Sequence, residues 1–473
     1  MEFYINEKIS AEKTADFIAS LAEKSKCDVH SILMYKDNEL MLSLSPSPYF
    51  PHLRRQVYSV SKTLSATAIG ILYDMGLVRT DDKLCDIFKE EMPENPSERL
   101  LKLTVWHLLS MTVGHADCSM KKIAESDNGI REFLKLPIVF EPGTRYLYDT
   151  GASYMLSAIV TKITSLSLFD FLYIHLFNPL GISPTVWPFS GGKVNEGGLG
   201  LRLSAEDYAK IALMYSNSGI YNGKRLLSED WINQSFSPQS VGDPTLTADW
   251  CSGYGYQFWN CSRGGYRADG AFGQYAIIRR DENLVFVLFG ESADVETELD
   301  LCFDFIDNAF NNDSDREKSI KIIEEKLSAS YLPLSSDKTA IPLHCYTLDK
   351  NDNEFTLLNL SCDGEILKIA FSDGQAMRTI TAGNGKWIEN AFLAKKFVPQ
   401  LYSLVPDERC DYAEFVASYT INTDGEITVK MRYTNNPHTS IMNIRYNDTL
   451  SLTVQRELNP HMNVTLTITG KSV

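Results

Sequence analysis

"VYSVSKTLSATAIGIL", residues 57–72, is rich in small apolar residues at helical spacing, yet its first turn carries Ser59, Ser61 and Lys62. A helix of this composition is built for burial, so a lysine and two hydroxyls at its mouth need a reason. Ser59 and Lys62 stand at i and i+3, which puts both side chains on one helix face, within reach of each other. A capping serine followed by a lysine that snorkels to water would account for the pattern, and Ser-x-x-Lys by itself is weak evidence. The chemical alternative is more specific. A serine hydroxyl is a poor nucleophile near neutral pH unless a base stands beside it. A lysine, with an ordinary pKa of about 10.4, can accept a proton once burial strips its hydration. The start of a helix also offers backbone N–H groups to a developing oxyanion. A proton shuttle and a second oxyanion donor are still required.

Two other stretches supply candidates. "FEPGTRYLYDTGASYML" (140–156) sets Tyr146 and Tyr148 between a Pro-Gly turn and the start of a helix, where a side chain can project into a cleft. The plainer explanation is a pair of interfacial tyrosines in a chain that has 23. "YRADGAFGQYAIIRR" (266–280) runs through spaced glycines into a buried strand. Gly270 and Gly273 would let a substrate lie close to the strand edge, with the Ala271 N–H pointing at it; a β-bulge is the alternative.

Periodicity organises the rest. Residues 10–26 read as a helix with a serine start, and 29–45 as two strands joined by the Lys36–Glu39 turn. Helices open at Thr104, run through "ASYMLSAIVTKI" (152–163), and follow a Ser204-x-x-Asp207 capping box. From Tyr254 the pattern turns to strands, with "DEN" (281–283) as a tight hairpin turn, and a helix returns over about 294–310. This predicts an α+β unit over 1–315, an antiparallel sheet flanked by helices with a helical subdomain inserted. A polar, partly helical connector follows over 316–340. Alternating runs broken at Asp-Gly and Asn-Asp turns then predict an all-β domain over 341–473, a small barrel or sandwich. The connector leads to the expectation that the first 315 residues fold and work alone.

The 473 residues are 44% hydrophobic and 22% charged with a formal net charge of −16, and contain no Lys/Arg run. Nucleic-acid binding is therefore not expected. The N-terminus lacks an apolar h-region, and no uncharged stretch is long enough to span a bilayer, so a cytoplasmic protein without a membrane role is expected. Nine scattered cysteines without Cys-x-x-Cys suit a reducing compartment and predict no zinc site. Neither His-Glu-x-x-His nor Gly-x-Ser-x-Gly occurs, and no metal or cofactor is expected. His107 reads as core and His115 as a structural loop histidine.

Taken in order, "SVSK" at Ser59 and Lys62, "YDT" at Tyr148, and "ADG" at Ala268–Gly270 resemble the three motifs of the serine β-lactamase/penicillin-binding-protein superfamily. The similarity is to its class C-like branch, which includes family VIII esterases, D-aminopeptidase-like enzymes and 6-aminohexanoate-dimer hydrolases. "LTVWHLLSMTVG", "FNPLGI" and "GGLGLRLSAEDYAKIALMYSNSGIYNGKRLLS" are phrased as the family phrases them, so the likeness covers roughly residues 30 to 310. The segment after about 340 carries no such resemblance. The resemblance implies Ser59 as nucleophile, Lys62 and Tyr148 sharing the base and shuttle roles, and the N–H groups of Ser59 and Ala271 as the oxyanion hole. Thr150, Asp269 and Gly270 would contact the substrate, a small ester, amide or peptide. Two departures stand out: Thr150 replaces the usual Asn, and Ala268 a Lys or His that helps hold a substrate carboxylate. Arg263 and Arg267 are the candidates to replace that charge. The implied activity is hydrolysis through an acyl-serine. A true β-lactamase or D,D-peptidase, or a catalytically silent binding protein on the same fold, are the alternatives. Nothing in the sequence indicates an oligomeric state.

Overall fold

The computed structural model describes residues 2–242, 247, 249–393, 412–458 and 466–473. Seven strands form the first sheet: β1 (Glu2–Ile5), β2 (Asp28–Lys36), β3 (Glu39–Ser45), β4 (Trp259–Asn260), β5 (Tyr266–Gly270), β6 (Gln274–Arg279) and β7 (Leu284–Glu291). Their order is β1-β3-β2-β7-β6-β5-β4, antiparallel throughout. The β2–β3 turn places Asp37 and Asn38 at φ 51° and 64°, the left-handed conformation that these two residue types tolerate best.

The sheet is buried on both faces, and the period-2 alternation shows how. Along β7, Leu284, Phe286 and Leu288 enter one core while Val285, Val287 and Phe289 enter the other. The first face is covered by α1 (Ala11–Ser20), α6 (Val295–Asn308) and α7 (Arg316–Ser330). The second carries the helical insertion, including α2 (Ser61–Asp74), α3 (Thr150–Thr164), α4 (Ala205–Ser216) and α5 (Glu229–Phe236). Capping follows the sequence signals. Ser10 accepts from the Lys13 N–H, and Ser204 and Asp207 form the reciprocal box of α4. In α2, Gly70 makes room for Trp231, whose indole nitrogen would lie 2.3 Å from a Cβ at that position.

Helix α7 is more than a spacer. It lies along α1 and puts Ile323 and Leu327 into the same core. Beyond it are β8 (Ala340–Leu348), β9 (Leu357–Asp363), β10 (Ile366–Ser372), β11 (Met377–Gly383), β12 (Ile388–Leu393), β13 (Tyr412–Ile421), β14 (Ile427–Tyr433), β15 (Thr439–Tyr446), β16 (Thr449–Arg456) and β17 (Leu466–Ser472). They pair in the order β11-β10-β9-β8-β17-β16-β15-β14-β13-β12, and a contact of β11 with β13 at Gly383 and Ser418 closes nine of them into a barrel. Closure removes the exposed edges that a sandwich would leave. Alternate residues such as Leu358 and Leu360, Leu367 and Ile369, and Val429 and Met431 fill its interior.

The barrel is docked on the first unit. Arg432 Nη1 lies 2.6 Å from Asp28 Oδ2, and the Gln56 N–H donates to the Asn435 carbonyl at 3.1 Å. Burial opposes ionisation of Asp28, yet the Arg432 guanidinium holds its carboxyl well below the usual carboxylate range.

Candidate active site

Ser59 lies in a single 3₁₀ turn, Tyr58–Val60, immediately before α2. It caps nothing: the residue at the α2 N-cap is Val60, and Ser59 Oγ instead meets Lys62 Nζ at 3.0 Å. A second hydrogen bond from Nζ reaches the Gly198 carbonyl at 2.8 Å, and the Tyr148 ring centroid lies 4.7 Å away. Lys62 is 1% exposed. Burial pushes its pKa down to about 7, against the pull of Cys118, Asp149 and Asp269. Its ammonium has exchanged a water shell for neutral partners, so near neutral pH a large fraction is the free amine, a competent base. Ser59 itself remains partly exposed.

Tyr148 is placed by its neighbour. Asp149 caps α3, with Oδ1 accepting from the Gly151 N–H at 2.9 Å and from the Ser119 N–H and hydroxyl at 2.8 Å each. Its Oδ2 lies 3.0 Å from His115 Nδ1. Burial works against ionisation there, but His115 and Ser119 hold the Asp149 carboxyl below its ordinary value. His115 is thus the structural histidine expected, and its task is to pin the segment that presents Tyr148. The Tyr148 ring stacks on Trp259 at 5.7 Å and meets Tyr254 edge-on at 6.2 Å. Tyr146 packs against the same two rings. His107 is half-buried, with Nδ1 closing the capping box at Thr104.

The end of β5 runs against the Ser59 turn. A Cβ on Gly270 would lie 2.5 Å from the Val57 carbonyl oxygen and 3.2 Å from Val60 Cγ2. At Gly273, φ is +88°, and a Cβ would fall 2.1 Å from Glu298 Oε2. The sequence reading gave these glycines to a closely approaching substrate; the space a side chain would take is filled by the protein itself. Gly270 lets the end of β5, one residue before Ala271, lie against the turn that carries Ser59. The residues flanking these two positions, Tyr58 and Phe272, have φ of 48° and 69°. Bulky side chains in that region cost roughly 1–3 kcal/mol each and persist only where the surroundings enforce them.

Thr150 is the buried first residue of α3, and its methyl group lies against Gly198. The Gly198 carbonyl is the partner of Lys62 that sequence reasoning missed. Its signal was "GGLG": Gly197 and Gly200 have φ of 67° and 83°, and a Cβ on Gly197 would strike the Ser153 carbonyl at 2.4 Å. Ala268 is fully buried. Arg267 is equally buried, with Nε 3.0 Å from Asp269 Oδ2 and Nη1 3.9 Å from Asp249 Oδ1, its guanidinium lying over Trp250. Burial pushes the Asp269 carboxyl up even with Arg267 beside it. Arg263 is tied to Asp304 and Asp307 on α6. Both arginines spend their charge on carboxylates, so neither replaces the third-motif cation. Among the described residues no group of three or more His, Cys, Asp or Glu is arranged to hold a metal, and no single helix is long and apolar enough to cross a membrane.

Comparison with known proteins gives a family model, Beta-lactamase, that matches residues 15–308. A β-lactamase of Escherichia coli (strain K12) is 22% identical over 209 residues, which is 40% of this chain and 49% of that protein, so the match spans about half the length of this curated relative. Among solved structures, the octameric penicillin-binding protein homologue of Pyrococcus abyssi aligns with TM-score 0.53 at 14% identity, over 97% of this chain and 99% of that one. The hydrolase EstCE1, described as having promiscuous acyltransferase activity, aligns with TM-score 0.51 at 13% identity, over 62% and 98%. At such identities the likeness is one of fold. The Pyrococcus alignment extends it to the barrel, for which the sequence offered no relative.

Proposed function

This chain belongs to the beta-lactamase family, and from that premise we propose that it is a serine hydrolase acting on a small ester or amide through an acyl-enzyme at Ser59. One observation carries the reading: a lysine with a pKa brought to about 7 by burial stands 3.0 Å from a partly exposed serine hydroxyl at the start of a helix. In this reading the free amine of Lys62 takes the Ser59 proton as Oγ attacks the acyl carbon. The N–H groups of Ser59 and Ala271 receive the oxyanion. As the bond from the acyl carbon to the leaving group breaks, the proton held by Lys62 passes through the hydroxyl of Tyr148, whose ring covers Lys62, to the departing alcohol or amine, and water then releases the acyl group by the reverse relay. The Gly198 carbonyl orients the lysine throughout.

Substrate choice follows from the missing charge. A β-lactam is held in such a site by its carboxylate and its side-chain amide. Here Ala268 and Thr150 offer little to either, and Arg267 is committed to Asp269. A lost charge-assisted hydrogen bond is worth roughly 1.5–3 kcal/mol, about one to two orders of magnitude in rate. p-Nitrophenyl butyrate is therefore expected to turn over at least about tenfold faster than nitrocefin. Rapid nitrocefin hydrolysis beside inert esters would favour a β-lactamase, and inertness to both a binding protein.

A further inference from the structure

The loop between β14 and β15 reaches the nucleophile turn from the barrel. His438 Nε2 lies 2.5 Å from the Tyr58 hydroxyl oxygen, and Nδ1 lies 2.9 Å from Glu291 Oε1 at the end of β7. The Arg456 guanidinium, from β16, bonds to Glu291 and contacts His438. His438, Glu291 and Arg456 are 2%, 0% and 1% exposed. Glu291 and Arg456 both face Nδ1, and the Tyr58 hydroxyl faces Nε2, so both ring nitrogens of His438 are engaged. Backbone bonds reinforce the docking, from Gln56 N–H to the Asn435 carbonyl at 3.1 Å and from Thr439 N–H to Glu291 Oε2 at 3.2 Å.

The same group holds the other half of the site. The Phe272 ring meets His438 edge-on at 5.1 Å and Tyr58 at 5.4 Å, and Arg456 lies over its face at 4.9 Å. Tyr58 precedes Ser59 and Phe272 follows Ala271, both with left-handed backbone. Two strained residues, one beside each backbone donor, are thus gripped by one histidine and one arginine that belong to the barrel. We propose that His438 is a positioning residue for the oxyanion hole, holding Tyr58 and Phe272 so that the Ser59 and Ala271 N–H groups converge, which makes the barrel part of the catalytic apparatus. The inference rests on the serine-hydrolase reading for its consequence, and on the contacts alone for its structure. A displacement of about 1 Å in such a site can cost about a hundredfold in rate.

The test uses the full chain with His438→Leu, His438→Gln and Tyr58→Phe, read by hydrogen exchange over residues 55–62 and 268–275 and by turnover of p-nitrophenyl butyrate. His438→Leu and Tyr58→Phe should each speed exchange in both segments. Each should also lower kcat by about ten- to a hundredfold with KM within about twofold. His438→Gln, which keeps an acceptor, should recover most of the loss, and the double variant should be little worse than either single. Wild-type exchange in both segments of folded His438→Leu, or full kcat, overturns the proposal. Should His438→Leu fail to fold, Tyr58→Phe, which removes one hydroxyl, decides by the same readouts. Should the unmodified protein turn over no ester, the hydrolase reading falls, and the exchange data alone judge the clamp.

Discussion

At Lys62 the ammonium gives up its water for one hydroxyl, one carbonyl and the face of a tyrosine, an exchange that weakens the fold and, on the proposed function, supplies the base. The folded pKa of about 7 lies below the unfolded value of 10.5, so between those values the unfolded chain binds more protons and stability rises with pH. Lys62→Met should remove that slope and raise stability by about 1–2 kcal/mol, while turnover falls by roughly three orders of magnitude or more. In the unmodified protein kcat/KM should climb as pH rises through about 7, as the amine loses its proton. Thermal unfolding across pH 6–10 and a pH–rate profile check both halves; a destabilised Lys62→Met, or a flat profile through pH 7, would count against the base.

Residue spacing made this much of the site legible. Ser59 and Lys62 are three apart, one in the turn that enters α2 and one in its first turn, and Tyr148 sits just before a helix, so each is a local pattern. Gly198 and His115 act across 136 and 34 residues, on Lys62 and Asp149, and no local pattern marks a partner that far away. The arginines show the reverse failure. Their charge was visible, but that it is consumed by Asp269, Asp304 and Asp307 depends on which strand face and helix each one meets.

Among the elements, the turn from β5 to β6 shows what glycines buy. Gly270 lets the strand end touch the Ser59 turn, with the Val57 carbonyl 2.5 Å from where a Cβ would stand. Backbone cannot step aside as a flexible side chain can, so Gly270→Ala should force apart the two N–H groups proposed as oxyanion donors. Turnover should fall at least about tenfold, with unfolding shifted down by several degrees, corresponding to about 1–3 kcal/mol of overpacking. Steady-state kinetics beside a thermal melt measure both; unchanged kcat would show that the contact does not set the site. The strands and helices themselves were readable from period and caps. Helix α7 was harder, because a polar surface suggests a linker while a few apolar residues, Ile323 and Leu327 foremost, dock it on the core.

For the whole molecule, alternation along the C-terminal strands announced an all-β domain but could not say barrel or sandwich, because closure depends on β11 meeting β13, strands far apart in the chain. Nor could it reveal that the barrel reaches back to Tyr58 through His438, a pairing 380 residues apart. That contact argues against the expectation that the first 315 residues work alone. All of it converges on one side chain. The most direct measurement is intact mass and peptide mapping of the full chain after incubation with a fluorophosphonate. One adduct on Ser59, absent from Ser59→Ala and strongly slowed in Lys62→Met, is the result predicted; label on Ser61 or elsewhere, or none, would contradict the account.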